Sequence, residues 1–186
     1  MNIAIVFYMM SDYEFICIEE EIMFNIRYAT ILDLNEITAI YNEAIEKTNA
    51  TFDTEIKTKK DMKMWFESHS PKNPILVAVN VGVIVGWASL SQWSDRCAYS
   101  DTAEISVYIK EKYQNKGFGK QLIKEIVQAG KKAGLHVLVA RITEGNEQSI
   151  HLHELEGFFC IGVMKEVGFK FNRRLDVLLM QKIYSE

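Results

Sequence analysis

"EISVYIKEKYQNKGFGKQLIKEI", residues 104–126, decides the fold of this chain. In its first third Glu104, Ser106 and Tyr108 fall on one face of a strand and Ile105, Val107 and Ile109 on the other. In its last third Leu122, Ile123 and Ile126, followed by Val127, form one apolar stripe of a helix. A charged loop with Gly117 and Gly119 joins the two. A Walker A loop needs GxxxxGK followed by Ser or Thr, whereas Gln121 follows Lys120 here and the glycines are wrongly spaced. A dinucleotide fingerprint needs a third glycine where Leu122 stands. Two readings remain. One is an ordinary glycine-containing strand-to-helix turn. The other is a run of backbone N–H groups closing onto a helix N-terminus, suited to a pyrophosphate and supplemented by the charge of Lys116 and Lys120.

The flanking sequence predicts a mixed α/β domain with one sheet covered on both faces. "NIRYA" at 25–29 is strand-like. Thr30 with Asp33, and Thr58 with Asp61, have capping-box spacing ahead of amphipathic helices, the second ending before Pro71. "NATFDTEI" between them has no period. "PILVAV" and "VIVGWASLSQW" flank "NVG" as a hairpin, and "TAEISVYI" is a further strand. After a helix over 118–129, Gly130 and Gly134 bracket a turn and "HVLVARI" is a buried strand. A short helix through "IHLHEL" and two strands around "CIGVMKEVGF" and "LDVLLMQKIY" complete the order. Residues 25–186 read as one domain. Residues 1–24 are an extension without sustained period, either an added strand or dimer arm, or upstream of a true start at Met23.

With 186 residues, 48% of them hydrophobic and 25% charged, the chain can bury a substantial core. A formal net charge of −4 argues against nucleic-acid binding. The longest apolar run, residues 3–10, is too short to span a bilayer and lacks the flanks of a secretory signal. Cys17, Cys97 and Cys160 lie too far apart for a zinc or disulfide pattern, which fits a reducing cytoplasm. His151 and His153 lack the i, i+4 spacing of a helical metal pair, so no metal is expected.

The run Gln114, Asn115, Lys116, Gly117, Phe118, Gly119 and Lys120 resembles the Q-x-x-G-x-G motif of the GNAT acetyltransferase superfamily. "NEQSIHLHELEGF", with Asn146 and Ser149, resembles that superfamily's next motif. "ATFDTE", "GWASLSQWSDRCAYSDTAEISVYI" and "VGFKFNRRLDVLLMQ" narrow the resemblance to the branch that N-acetylates phosphinothricin and methionine sulfoximine, over nearly all of the chain from Ile26. Asn172 and Arg174 depart from that branch. The resemblance implies a GNAT fold with a central, mostly antiparallel sheet, and acetyl-CoA as cosubstrate with its pyrophosphate on the glycine loop. It also implies that Val107, Tyr108 and Ile109 pair with the pantetheine arm, that Asn146 hydrogen-bonds it, and that the protein is a homodimer.

Acyl transfer to an amine requires removal of a proton and stabilisation of charge on the carbonyl oxygen. Glu104, an acid on an otherwise apolar strand, is the candidate base. His153 stands where many superfamily members carry a tyrosine that protonates the leaving thiolate, and an imidazole can serve as acid or base near neutrality. Arg96 offers a planar fork for a substrate anion. Trp93, Tyr99, Phe52, Ser106 and Arg173 are the other candidate substrate contacts. No cysteine is placed for a covalent intermediate, so direct transfer in a ternary complex is expected, onto the α-amine of a small amino acid or analogue. The rival readings are a protein or peptide N-terminal acetyltransferase and a non-catalytic acyl-CoA sensor.

Overall fold

Seven strands form the main sheet in the order β3-β4-β5-β6-β7-β9-β8: β3 (Phe24–Tyr28), β4 (Ile75–Asn80), β5 (Val83–Gln92), β6 (Thr102–Ile109), β7 (Val137–Thr143), β8 (Phe159–Lys170) and β9 (Arg173–Ile183). The computed structural model describes residues 3–7, 17–21 and 24–185. Within the extension, β1 (Ile3–Phe7) and β2 (Cys17–Glu21) pair antiparallel as a separate two-stranded sheet, Ile3 opposite Glu21. The alternative start expected at Met23 lies outside the described residues. No described helix is long and apolar enough to cross a membrane.

Helix starts follow local chemistry. Thr30 donates from its backbone N–H and its hydroxyl to Asp33 Oδ2, at 2.7 and 3.1 Å, and a 3-10 turn at Ile31–Asp33 leads into α1 (Leu34–Lys47). Thr58 and Asp61 exchange the two hydrogen bonds of a capping box at the start of α2 (Lys59–Glu67), at 2.9 and 3.2 Å. Ile37 and Ile40 of α1 and Met62 of α2 pack on Ile75, Val77, Ile84 and Trp87 of the sheet. On the opposite face α3 (Phe118–Lys132) buries Leu122, Ile123, Ile126 and Val127 against Ala88, Leu90, Ala103, Ile105 and Leu138. Burial of each of these large aliphatic side chains contributes about 1.5–3 kcal/mol over leaving it exposed, which makes α3 a rigid anchor for the loop at its N-terminus.

One local reading changes. Gly130 does not open the turn after α3 but lies buried inside the helix; a Cβ there would come within 2.8 Å of both Leu90 Cδ1 and the Tyr184 hydroxyl. The turn itself belongs to Gly134. In the β8-β9 hairpin Phe171 and Asn172 both have positive φ, 50° and 59°, the two-residue turn that suits the right-handed twist of its strands. Asn172 therefore does the work of a glycine.

One feature of the sheet positions the candidate site. All its neighbouring strands run antiparallel except β6 and β7, which pair in parallel over only Thr102, Ala103 and Glu104. Beyond Glu104 the two strands diverge, while β6 keeps its ladder to β5 up to Ile109 and β7 keeps its ladder to β9.

Candidate active site

Two cavities meet where β6 and β7 part. The first, of about 680 Å³, runs from the end of α1 past Ile109, Gln114, Asn115, Gly117, Gly119 and Lys120. The second, of about 710 Å³, is walled by Phe52, Glu104, Ser106, Arg141, His153 and Phe169. Val107, Tyr108, Asn146 and Ser149 line both, so the gap in the sheet is also the passage between the cavities.

The free backbone of β6 follows from strand alternation. Lys110 N donates to Val85 O at 2.9 Å and Trp93 N to Thr102 O at 3.2 Å, so the even-numbered residues of β6 turn their backbone groups to β5. Val107 and Ile109 therefore present theirs to the gap. Gln114 Nε2 caps the Ile109 carbonyl at 3.3 Å. The N–H and C=O of Val107 and the N–H of Ile109 are left for an extended ligand.

At the far end of the first cavity the chain turns through positive φ at Asn115 (60°) and Gly117 (86°) before α3 begins. No backbone N–H from Asn115 to Lys120 has an acceptor among the described residues, and the helix dipole adds positive potential there. This donor set fits a pyrophosphate. A Cβ on Gly117 would meet nothing within 4 Å, so glycine is favoured by the backbone conformation and not by crowding. Gln148 Nε2 donates to Asn115 Oδ1 at 2.8 Å and ties the loop to α4 (Glu147–Leu155). Lys120 lines the cavity. Two candidate contacts turn elsewhere: Phe118 packs its ring on Phe24 and Tyr113, and Lys116 lies over the Tyr113 ring, because both follow the apolar side of the loop.

Asn146 caps α4, its Oδ1 accepting from Ser149 N at 3.2 Å, and its Nδ2 has no acceptor among the described residues. One turn on, His153 is buried edge-on against Phe158. Its Nδ1 donates to the Ser149 carbonyl at 2.8 Å, which leaves Nε2 as the acceptor of a neutral ring. Burial holds its pKa below the ordinary 6.5. His153 thus carries no proton on Nε2 to give. His69, donating from Nδ1 to Trp65 O and meeting the Ser91 hydroxyl with Nε2, is also lowered by burial.

These shifts fix the sign of a pH effect. Below pH 6.5 the unfolded chain binds protons that the folded histidines refuse, so stability falls with falling pH, by at most about 1.4 kcal/mol per pH unit for each histidine. His153→Gln is expected to flatten this slope in thermal unfolding between pH 5 and 8. An unchanged slope would show that the folded ring charges freely.

In the second cavity both Glu104 oxygens are held by Arg141, from Nε at 2.6 Å and Nη2 at 2.7 Å. Tyr108 packs between Trp87 and Tyr41, and burial pushes its phenol up to about 12, so its hydroxyl stays protonated. Phe52 lies on Gly168, where a Cβ would strike its ring. The loop carrying Phe52 is fastened by buried Lys170, which donates to Thr51 O at 2.8 Å and whose ammonium pKa burial lowers.

Of the residues expected from sequence at the substrate, Phe52, Glu104 and Ser106 line this cavity. Trp93, Arg96 and Tyr99 do not: they sit on the exposed connection between β5 and β6, outside both cavities. Arg173 is also outside and faces Glu144 at 4.0 Å, since the turn of the β8-β9 hairpin carries it outward. Arg141, Thr51 and Lys170 were not foreseen. Arg141 had one visible signal, a charge ending the apolar run "VLVA".

A split sheet with a donor-rich loop on one side of the gap and a walled cavity on the other is the architecture of an acyl-CoA N-acyltransferase. The acetyltransferase (GNAT) domain model matches residues 26–179, and the chain belongs to this family. It is 38% identical over 159 residues to an L-methionine sulfoximine/L-methionine sulfone acetyltransferase of Pseudomonas aeruginosa, covering 84% of this chain and 92% of the relative. The structure of a phosphinothricin acetyltransferase from Sinorhizobium meliloti in complex with acetyl-CoA superimposes with a TM-score of 0.84 at 33% identity, covering 88% of this chain and 89% of that one. That of a ribosomal-protein-alanine N-acetyltransferase from Brucella melitensis does so at 0.83 and 37% identity, covering 86% and 99%.

Proposed function

We propose that this protein transfers acetyl from acetyl-CoA to the α-amine of a small amino acid or analogue, of the phosphinothricin, methionine sulfoximine or methionine sulfone type. The observation that carries the reading is the junction of the two cavities at Val107 and Tyr108, with Glu104 on the substrate side. Acetyl-CoA supplies an acyl group already activated as a thioester. The N–H groups of residues 115–120 hold its pyrophosphate, and the open edge of β6 and Asn146 Nδ2 hold its pantetheine arm. Val107 N–H donates to the thioester oxygen as negative charge grows there. Glu104 takes the proton from the amine, directly or through a water. The C–N bond forms as the C–S bond breaks, and solvent reprotonates the sulfur. His153, neutral with Nε2 bare, has no proton there to give and is not the acid for the thiolate.

Among the described residues the exposed cysteines, Cys97 and Cys160, lie outside the two cavities, which favours direct transfer in a ternary complex over a covalent intermediate. The exposed apolar side chains Phe159, Ile161 and Val163 on edge strand β8 support a homodimer. The reading assigns no metal, membrane or nucleic acid to the protein and places it in the cytoplasm.

A second reading, acetylation of a protein N-terminus, is favoured by the name of the Brucella melitensis neighbour. The wall made by Phe52 on Gly168 argues for a small substrate instead. A thiol-release assay with acetyl-CoA separates the two. Methionine sulfone, methionine sulfoximine or phosphinothricin is expected to give turnover at least about 100-fold above that with alanine-initiated peptides, the scale of difference that a missing set of specific polar contacts produces. The reverse order would favour the peptide reading.

A further inference from the structure

Arg141 is the only Lys or Arg that lines the second cavity among the described residues. It reaches Glu104 side-on, with both carboxylate oxygens engaged, and the two partners are unequally covered: the Arg141 side chain is 52% exposed and that of Glu104 20%. Both side chains line the cavity, and the guanidinium is the more accessible of the two. Two consequences follow. One lone pair of each Glu104 oxygen is taken up, and a positive charge stands where an amine has to arrive. The other acid on this wall, Asp53, is occupied by Tyr41 at 2.6 Å and Lys57 at 3.0 Å, so it offers Arg141 no second partner. Lys170 is committed to the Thr51 carbonyl, and His153 is neutral and offers Nε2 only as an acceptor.

We propose that Arg141 recognises the α-carboxylate of the substrate and exchanges Glu104 for it, so that the base is freed only when an α-amino acid occupies the cavity. The proposal rests on the reading of Glu104 as base given above. A carboxylate presents to a guanidinium fork the same two-oxygen face as Glu104 does, and it is the anionic group that all the proposed substrates share. In an α-amino acid the amine is attached one carbon away from that carboxylate. Seating the carboxylate on Arg141 thus sets the amine beside Glu104 as its own fork opens. An amine without the carboxylate leaves the Arg141–Glu104 pair closed. Selection for α-amino acids then comes from the same motion that exposes the base, without a separate anion pocket.

The test compares kcat/KM for methionine sulfone with that for its α-carboxamide, in wild type, Arg141→Gln and Arg141→Lys, at one pH so that the different basicities of the two amines cancel between variants. The ratio of acid to amide is expected to fall about 10- to 100-fold in Arg141→Gln, the range for loss of a bidentate charge-assisted contact, with Arg141→Lys between. Retained acetyl-CoA binding by calorimetry verifies folding of each variant. A ratio unchanged from wild type in Arg141→Gln overturns the proposal. Wild-type turnover of both substrates by Glu104→Gln overturns the base reading and with it the freeing of the base, while the ratio in Arg141→Gln still judges carboxylate recognition by itself.

Discussion

Replacing Glu104 by Gln is expected to lower kcat for amine acetylation by about 10²- to 10⁴-fold, the range for loss of a general base, while acetyl-CoA binding is retained. The two effects separate because of where Glu104 sits. It occupies the last paired position of β6 before the split and points into the second cavity, whereas the groups assigned to acetyl-CoA are the backbone of Val107 and Ile109, the 115–120 loop and Asn146. Gln keeps the size and one acceptor oxygen, so the strand is undisturbed. A purely structural role for Glu104, as the partner of Arg141, would lower activity equally at every pH. A base is needed less as the amine deprotonates by itself, so the gap between wild type and variant should narrow as the pH is raised towards the pKa of the amine. Full turnover by the variant would remove Glu104 from the chemistry.

Gly86→Ala is expected to lower stability by about 1–3 kcal/mol, the usual range for overpacking a core, and so the midpoint of thermal unfolding by about 3–10 °C. Gly86 faces Ile109 across the β5-β6 ladder, and a Cβ there would meet Ile109 Cδ1 and come within 2.8 Å of the Tyr108 carbonyl oxygen. The Ile109 side chain can rotate away; the carbonyl can move only if β6 moves. Because Tyr108 and Ile109 form the edge proposed to hold the pantetheine arm, a raised KM for acetyl-CoA should accompany the lost stability, with a smaller effect on the KM of the amine. An unfolding midpoint within about 1 °C of wild type would mean that the two strands are not packed as closely as described.

Much of this was legible in the chain. The period-two pattern of residues 102–109, the stripe of Leu122, Ile123 and Ile126, and the two capping boxes fix elements through local chemistry, and the structure places those elements where their patterns predict. Gly130 was misread because a glycine near a helix end usually signals a stop, and only the packing of Leu90 and Tyr184 reveals that it is there for space. The site was legible where it is built from one continuous segment, as in the 114–120 loop. Arg141 was not, because its meeting with Glu104 depends on the register of β6 against β7, two strands separated by the whole of α3. Lys170 and Thr51 lie 119 residues apart and meet for the same reason. Arg96, Trp93 and Tyr99 illustrate the converse: residue types suited to an anion and an aromatic wall, carried by a connection that turns away from the cavity.

Identification of the product is the sharpest test of acetyl transfer to an α-amine. The protein is incubated with methionine sulfone and acetyl-CoA carrying a 13C-labelled acetyl carbonyl, and the products are analysed by mass spectrometry and NMR. The expected result is methionine sulfone labelled on its α-nitrogen in a one-to-one ratio with released coenzyme A, and no label on the protein. Label found on the protein chain, or on peptide N-termini with none on any amino-acid analogue, would contradict it.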